Sequence, residues 1–155
     1  MAVVRVIESP VGFLKLSADD RALTGIWLNA EGPATPGRAE GLLADVERQL
    51  AEYFTGTRTT FDLPLAPKGT AFQCDVWRAL QDIPFGETTS YSAVAKTIGR
   101  ADAVRAVGAA NGQNPIPIVI PCHRVIGANG ALTGFGGGLP MKRWLLAHEQ
   151  RGRLF

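Results

Sequence analysis

Cysteine is scarce in this chain, with two residues, Cys74 and Cys122, among 155. Two thiols cannot build the disulfide framework of a small secreted domain, and they read as reduced. No apolar run approaches the roughly 18 residues that span a bilayer. The N-terminus, Met1-Ala2-Val3-Val4-Arg5, lacks the basic stretch, apolar core and cleavage site of a secretory leader. These absences argue against export and membrane insertion, and the expected location is the cytoplasm. An excess of charge is missing too: the formal net charge is +2, with 19% charged and 46% apolar residues. Such a composition excludes disordered, collagen-like and coiled-coil chains and suits one domain or two small ones.

The near-neutral total conceals an asymmetry. Residues 1–69 hold seven Lys/Arg against nine Asp/Glu, whereas residues 70–155 hold nine against five. A modestly basic second half suits an anionic partner, although unevenly charged solvated surface has the same signature.

The first half reads as a small antiparallel sheet and one helix. Val3 to Ile7, Phe13 to Leu16 and Leu23 to Leu28 are β-rich runs separated by turn-forming stretches. After the Gly/Pro-rich segment 31–37, Leu42, Leu43, Val46, Leu50, Tyr53 and Phe54 have the spacing of one helix face, ending near Gly56. Pro64 to Gly69 has the composition of an inter-domain linker. In the second half, Thr70-Ala71-Phe72-Gln73 is a capping-box pattern, followed by Val76, Trp77 and Leu80 on one face. Thr89 or Ser90 then caps a short helix through Tyr91, Val94, Ala95 and Ile98, which Gly99 stops. Asp102 is placed to cap a further helix, Ala103 to about Ala110, with Asn111-Gly112 beyond it. Two short helices about a tight glycine turn form a helix-turn-helix candidate, a pattern that plain packing units share. The run Asn114 to Pro121 reads as a buried strand, Gly127 to Gly138 as a loop, and Pro140 as the start of a last helix. On that helix Met141, Trp144, Leu145 and His148 share a face.

Cys122 stands at the end of the apolar run, beside His123 and before the glycine loop. A thiolate is a competent nucleophile, and a neighbouring imidazole is one means of generating it. An inert buried cysteine fits the same position. Zinc is a third reading, with Cys74, Cys122, His123 and His148 as its only Cys and His ligands.

The motif Pro121-Cys122-His123-Arg124-Val125 resembles the active-site signature of the O6-alkylguanine-DNA alkyltransferases. Arg105-Ala106-Val107-Gly108, Asn114-Pro115, Gly134-Phe135-Gly136-Gly137-Gly138 and Trp144-Leu145-Leu146-Ala147-His148-Glu149 match the same family in order and spacing. The resemblance runs from about Phe72 to Glu149. It implies an α+β chain: a sheet-plus-helix N-terminal domain, residues 1–69, then a mainly helical, winged helix-turn-helix-like domain, residues 70–155. It also implies repair of duplex DNA containing O6-alkylguanine. The base is flipped out, and its alkyl group passes permanently to Cys122.

Carried over by position, the resemblance makes His123 a base acting through water, oriented by Glu149. Asn114 braces the turn before the active site. Arg105, with Ala106 and Gly108 on the recognition helix, binds DNA in the minor groove, and Arg105 fills the gap left by the flipped base. Tyr91 presses on a phosphate and hydrogen-bonds the guanine, Phe135, Gly136 and Gly137 wall the pocket, and Arg124 is structural. Phe135 departs from the tyrosine of several relatives and lacks its hydroxyl. Some relatives carry an N-terminal zinc site or an extra regulatory domain; this sequence has neither the ligands nor the length. No metal, no cofactor and no transcriptional role are therefore expected of it, and it is expected to be a monomer. Two rivals accompany it. An alkyltransferase-like lesion-binding protein would lack the cysteine, and a cysteine hydrolase would require an oxyanion hole.

Thiol acidity by itself would accelerate such a transfer little. A free thiol of pKa about 8.5 is roughly 3% thiolate at pH 7. Lowering it by about three units gains roughly 30-fold in thiolate, and a Brønsted slope near 0.5 returns most of that gain. Positioning of sulfur against carbon, and stabilisation of the departing guanine, must supply the rest. Extruding the base costs a few kcal/mol more.

Overall fold

A computed structural model describes residues 2–151. The chain divides into two compact units, residues 1–68 and 69–155. In the first, β1 (Val3–Ile7), β2 (Leu14–Ala18) and β3 (Leu23–Trp27) form an antiparallel meander in the order β1-β2-β3. The turn between β2 and β3 is set by Asp19, whose carboxylate accepts from the backbone N–H groups of Arg21 and Ala22, both at 2.8 Å. Helix α1 (Gly41–Thr55) packs on the sheet. Leu43, Val46, Leu50 and Tyr53 recur at helical spacing, and with Leu14, Leu16 and Ile26 they form the buried core. Gly56 ends α1 with φ +88°, donating to Tyr53 O while Thr57 donates to Glu52 O. A side chain at that left-handed position would be strained.

The segment that reads as a linker is partly structural. Leu23 N–H donates to Pro64 O at 2.8 Å and Ala66 N–H to Leu23 O at 2.9 Å, so residues 64–66 extend the pairing of β3. Linker composition reports missing side-chain bulk, and it does not count backbone hydrogen bonds.

The second unit opens with α2 (Ala71–Leu80). Here the capping box is complete: Gln73 N–H donates to Thr70 Oγ1 at 3.1 Å, and Thr70 N–H donates to Gln73 Oε1 at 2.9 Å. Trp77 is buried and its indole N–H donates to Ala110 O at 2.8 Å, joining α2 to α4 (Val104–Gly112). Between them lies α3 (Tyr91–Thr97), capped by Ser90, whose hydroxyl accepts from Ala93 N–H. Gly99 ends α3 at φ +74°, with Gly99 N–H donating to Lys96 O and Arg100 N–H to Ala95 O, the paired bonds of a Schellman turn. β4 (Thr89–Ser90) pairs in parallel with β5 (Val125–Ile126), and α5 (Leu139–Gln150) closes the unit.

Two local expectations fail. Asp102 does not cap α4: Ala103 occupies the N-cap without a side-chain bond, and the helix continues through Asn111 and Gly112. Asn111 stays helical because its residue is buried within the unit, overriding the turn preference of Asn-Gly. Nor is Asn114 to Pro121 a strand. Pro115, Pro117 and Pro121 supply no N–H for a ladder, and Ile118 adopts φ +74°, turning the chain inside the core. Its apolar character reports burial correctly, but burial alone does not separate a strand from a packed turn.

Candidate active site

The chain leaves that turn into a single 3-10 turn, Cys122–Arg124, in which all three side chains are buried. Asn114 shapes the approach: its amide Nδ2 donates to Ile120 O at 2.8 Å, and its Oδ1 accepts from Ile116 N–H at 3.0 Å. Cys122 is 5% exposed. Burial pushes its thiol up to about 11, against the smaller opposing effects of the Asn114 side chain and the Lys142 cation. The resting sulfur is therefore protonated at neutral pH.

His123, the next residue, meets Glu149 of α5. His123 Nε2 and Glu149 Oε2 lie 2.6 Å apart in a fully buried contact. Desolvation holds the imidazole below its ordinary value despite the carboxylate, so the ring is neutral, with Nε2–H donating to Glu149. Its other nitrogen, Nδ1, has no hydrogen-bond partner within the described protein. Arg124 grips the same carboxylate with two prongs, Nε to Oε1 at 2.8 Å and Nη2 to Oε2 at 3.1 Å. Its third nitrogen donates to Ile83 O at 2.7 Å, and its guanidinium lies 5.8 Å from the centre of the Phe85 ring. Burial raises the Glu149 carboxyl, but the bonds from His123 and Arg124 outweigh it and bring the group to about 2. Glu149 is thus an ionised acceptor, far from the exposed ion-pair member that its neighbours Arg151 and Arg153 suggest.

Tyr91, the first residue of α3, faces the glycine loop. Its hydroxyl hydrogen-bonds Thr133 Oγ1, and its ring borders Gly108 of α4. Arg105 and Ala106 are exposed on α4 with Ala109 and Gly112. Phe135 is half-buried in the loop, and its carbonyl accepts from Gly138 N–H at 2.9 Å; Gly136 is exposed and Gly137 half-buried. The structure thus gathers Cys122, His123, Arg124 and Glu149 in one buried cluster, with the half-buried Asn114 bracing the turn that leads into it. Tyr91 lies at the loop, and Arg105 stands apart on an open surface.

Comparison with known proteins accounts for nearly all of this chain. Residues 3–67 match the model of the ribonuclease-like domain of 6-O-methylguanine DNA methyltransferase, and residues 71–151 match that of its DNA-binding domain. The chain belongs to the 6-O-methylguanine DNA methyltransferase family. Within this family it is 50% identical over 155 residues to the methylated-DNA–protein-cysteine methyltransferase of Mycolicibacterium paratuberculosis, with 97% of this chain and 94% of that one covered. The constitutive methylated-DNA–protein-cysteine methyltransferase of Bacillus subtilis is 44% identical, with 92% of each chain covered. The crystal structure of Mycobacterium tuberculosis OGT in complex with DNA superimposes with a TM-score of 0.85 at 47% identity, over 94% of this chain and 91% of that one.

Sequence reading missed two polar residues at the centre of this methyltransferase-family site. Lys142 is 0% exposed, and its ammonium donates to Val125 O at 2.7 Å and Thr133 O at 3.3 Å. Beside Arg143 it looks like an ordinary solvated cation. Its spacing with Leu145 and Glu149 is the one available signal, since positions i, i+3 and i+7 share a helix face. Asn111 is the other: its amide Nδ2 donates to Cys122 O at 3.4 Å. Cys74, the other thiol, is half-buried on α2. Among the described residues no cluster of three or more His, Cys, Asp or Glu side chains is arranged to hold a metal. No described helix is long and apolar enough to cross a membrane.

Proposed function

We propose that this chain repairs duplex DNA by taking the alkyl group from O6 of a damaged guanine onto Cys122, once per molecule. The observation that carries the reading is a protonated, buried thiol adjoining a neutral histidine whose far nitrogen is anchored on an ionised glutamate. The chemistry needs that arrangement. At pH 7 a thiol near 11 is ionised in only about one molecule in 10⁴, so its proton must leave as the reaction proceeds. His123, neutral and with Nδ1 uncommitted, accepts it through a water. Glu149 stabilises the imidazolium that forms, and Arg124 keeps Glu149 ionised and fixed.

The sulfur–carbon bond then forms as the carbon–O6 bond breaks. The departing guanine, stabilised by a hydrogen bond from the Tyr91 hydroxyl, takes up a proton from water, while His123 returns the thiol's proton to solvent. The net change is the alkyl group on sulfur and a proton on guanine. Asn114 maintains the turn that aims Cys122. Phe135, Gly136 and Gly137 wall the base, and small residues there allow close backbone approach.

DNA binding falls to α4. Its exposed face carries Arg105 among Ala106, Ala109 and Gly112, with Gly108 beside Tyr91. Small side chains let a helix lie deep in the minor groove, and Arg105 occupies the space vacated by the extruded base. The product is a thioether, which neither water nor His123 displaces, so the protein is consumed. It works as a monomer in the cytoplasm, where a reduced thiol persists.

The test is a duplex carrying O6-methylguanine with a labelled methyl group. One label per protein, located on Cys122 by mass spectrometry and absent from Cys122→Ser, is the expected result. Many turnovers per molecule, or label retained on the DNA, overturns the reading.

A further inference from the structure

Thr133 of the glycine loop is held both by its side chain and by its backbone. Its hydroxyl bonds the Tyr91 hydroxyl, and its carbonyl accepts from Lys142 Nζ at 3.3 Å. The same ammonium donates to Val125 O at 2.7 Å, three residues beyond Cys122 and in the strand that leaves the reactive turn. A single residue therefore ties the proposed leaving-group donor to the backbone that carries the nucleophile. Lys142 is wholly buried, so that tie is not a loose surface contact. Tyr91 alone is poorly specified: it is half-buried at the first position of α3, and its phenolic proton has two alternative orientations in the ring plane.

We propose that Thr133 is a positioning residue for alkyl transfer, donating its hydroxyl proton to Tyr91 Oη so that the tyrosine proton is directed at the guanine. This rests on the role given to Tyr91 above. A hydrogen bond accepted by a hydroxyl strengthens the one it donates, so Thr133 both orients Tyr91 and makes it the better donor as charge grows on the base. Valine has the shape of threonine without the hydroxyl and leaves the Lys142 bond to the backbone carbonyl in place.

Single-turnover transfer from an O6-methylguanine duplex, with the full-length chain, tests the assignment. Thr133→Val is expected to lower the saturating rate about tenfold, the size of one hydrogen bond, with the half-saturating DNA concentration within about twofold of the parent. Thr133→Ser restores the rate to within about twofold. In a Tyr91→Phe background, Thr133→Val causes no further loss. A Thr133→Val protein that transfers at the parent rate while Tyr91→Phe is slow overturns the role of Thr133 alone. So does an equal loss in Thr133→Ser, or a tenfold loss that persists in Tyr91→Phe. Parent rates in Tyr91→Phe overturn the role of Tyr91 and this assignment with it.

Discussion

Two regions of the second unit solve opposite problems. The outer face of α4 is open, built from Ala106, Ala109 and Gly112, and its one cation, Arg105, has no ion-pair partner among the described residues. The cluster around Cys122 is closed: His123, Arg124, Lys142 and Glu149 are all buried, and they are bonded to one another or to backbone carbonyls. A surface meant to meet a partner keeps its polar groups solvated until the partner replaces the water. A reaction centre must have its charges in place beforehand, and burying them is tolerable only when each is matched. The difference teaches that substitutions in the closed region test folding and chemistry together. Substitutions on the open face test binding alone.

The largest break is expected from Glu149→Ala, which strands the guanidinium of Arg124 and unties His123. Removing one member of a buried ion pair costs about 3–5 kcal/mol, so urea unfolding should show a loss of that order. A loss under about 1 kcal/mol would mean that the cluster is far better hydrated than its burial indicates. Lys142→Met comes next. It roughly preserves volume but leaves Val125 O without its donor, and a loss of about 1–3 kcal/mol is expected in the same measurement.

Acidification sharpens the contrast without a substitution. His123 is held neutral in the folded state, so below pH ~6.5 the unfolded chain binds a proton that the folded chain does not, and stability falls with pH. Glu149, brought to about 2 from 4.5, contributes stability that is present above 4.5 and lost as pH falls from there toward 2. Thermal melts from pH 8 downward should show declining midpoints from about pH 6.5, and a flat profile to pH 5 would contradict a buried neutral imidazole. The smallest effect on stability belongs to the open face. Arg105→Ala should leave unfolding within about 0.5 kcal/mol of the parent while weakening lesion-duplex binding about tenfold in a titration. An equal loss of stability would show that Arg105 is structural after all.

The parts of the fold that local chemistry dictates were legible in advance. Thr70 and Gln73 cap α2 reciprocally because each side chain meets the other's backbone N–H, a relation contained in four consecutive residues. Ser90 and Gly99 bound α3 for equally local reasons. Asp102 misled because a capping residue is defined by where the helix begins, and packing started α4 one residue later than expected, at Val104. The prolines of 114–121 argue against a central strand, but the apolar run around them obscured that signal. Cys122, His123 and Glu149 stood out by motif. Lys142 and Asn111 did not: the helix-face spacing of Lys142 with Leu145 and Glu149 is its one mark, and Asn111-Gly112 reads as a turn.

From its residues alone, this chain specifies the periodicities, caps and turns of two small units, and the thiol–imidazole neighbours at 122 and 123. Those depend on atoms a few bonds or one helical turn apart. Tertiary packing decided which charges meet: Glu149 with His123 and Arg124 across 26 and 25 positions, and Lys142 with Val125 across 17. It also decided that the sulfur rests as a thiol, because desolvation is a property of the whole enclosure and no neighbouring residue in the sequence encodes it.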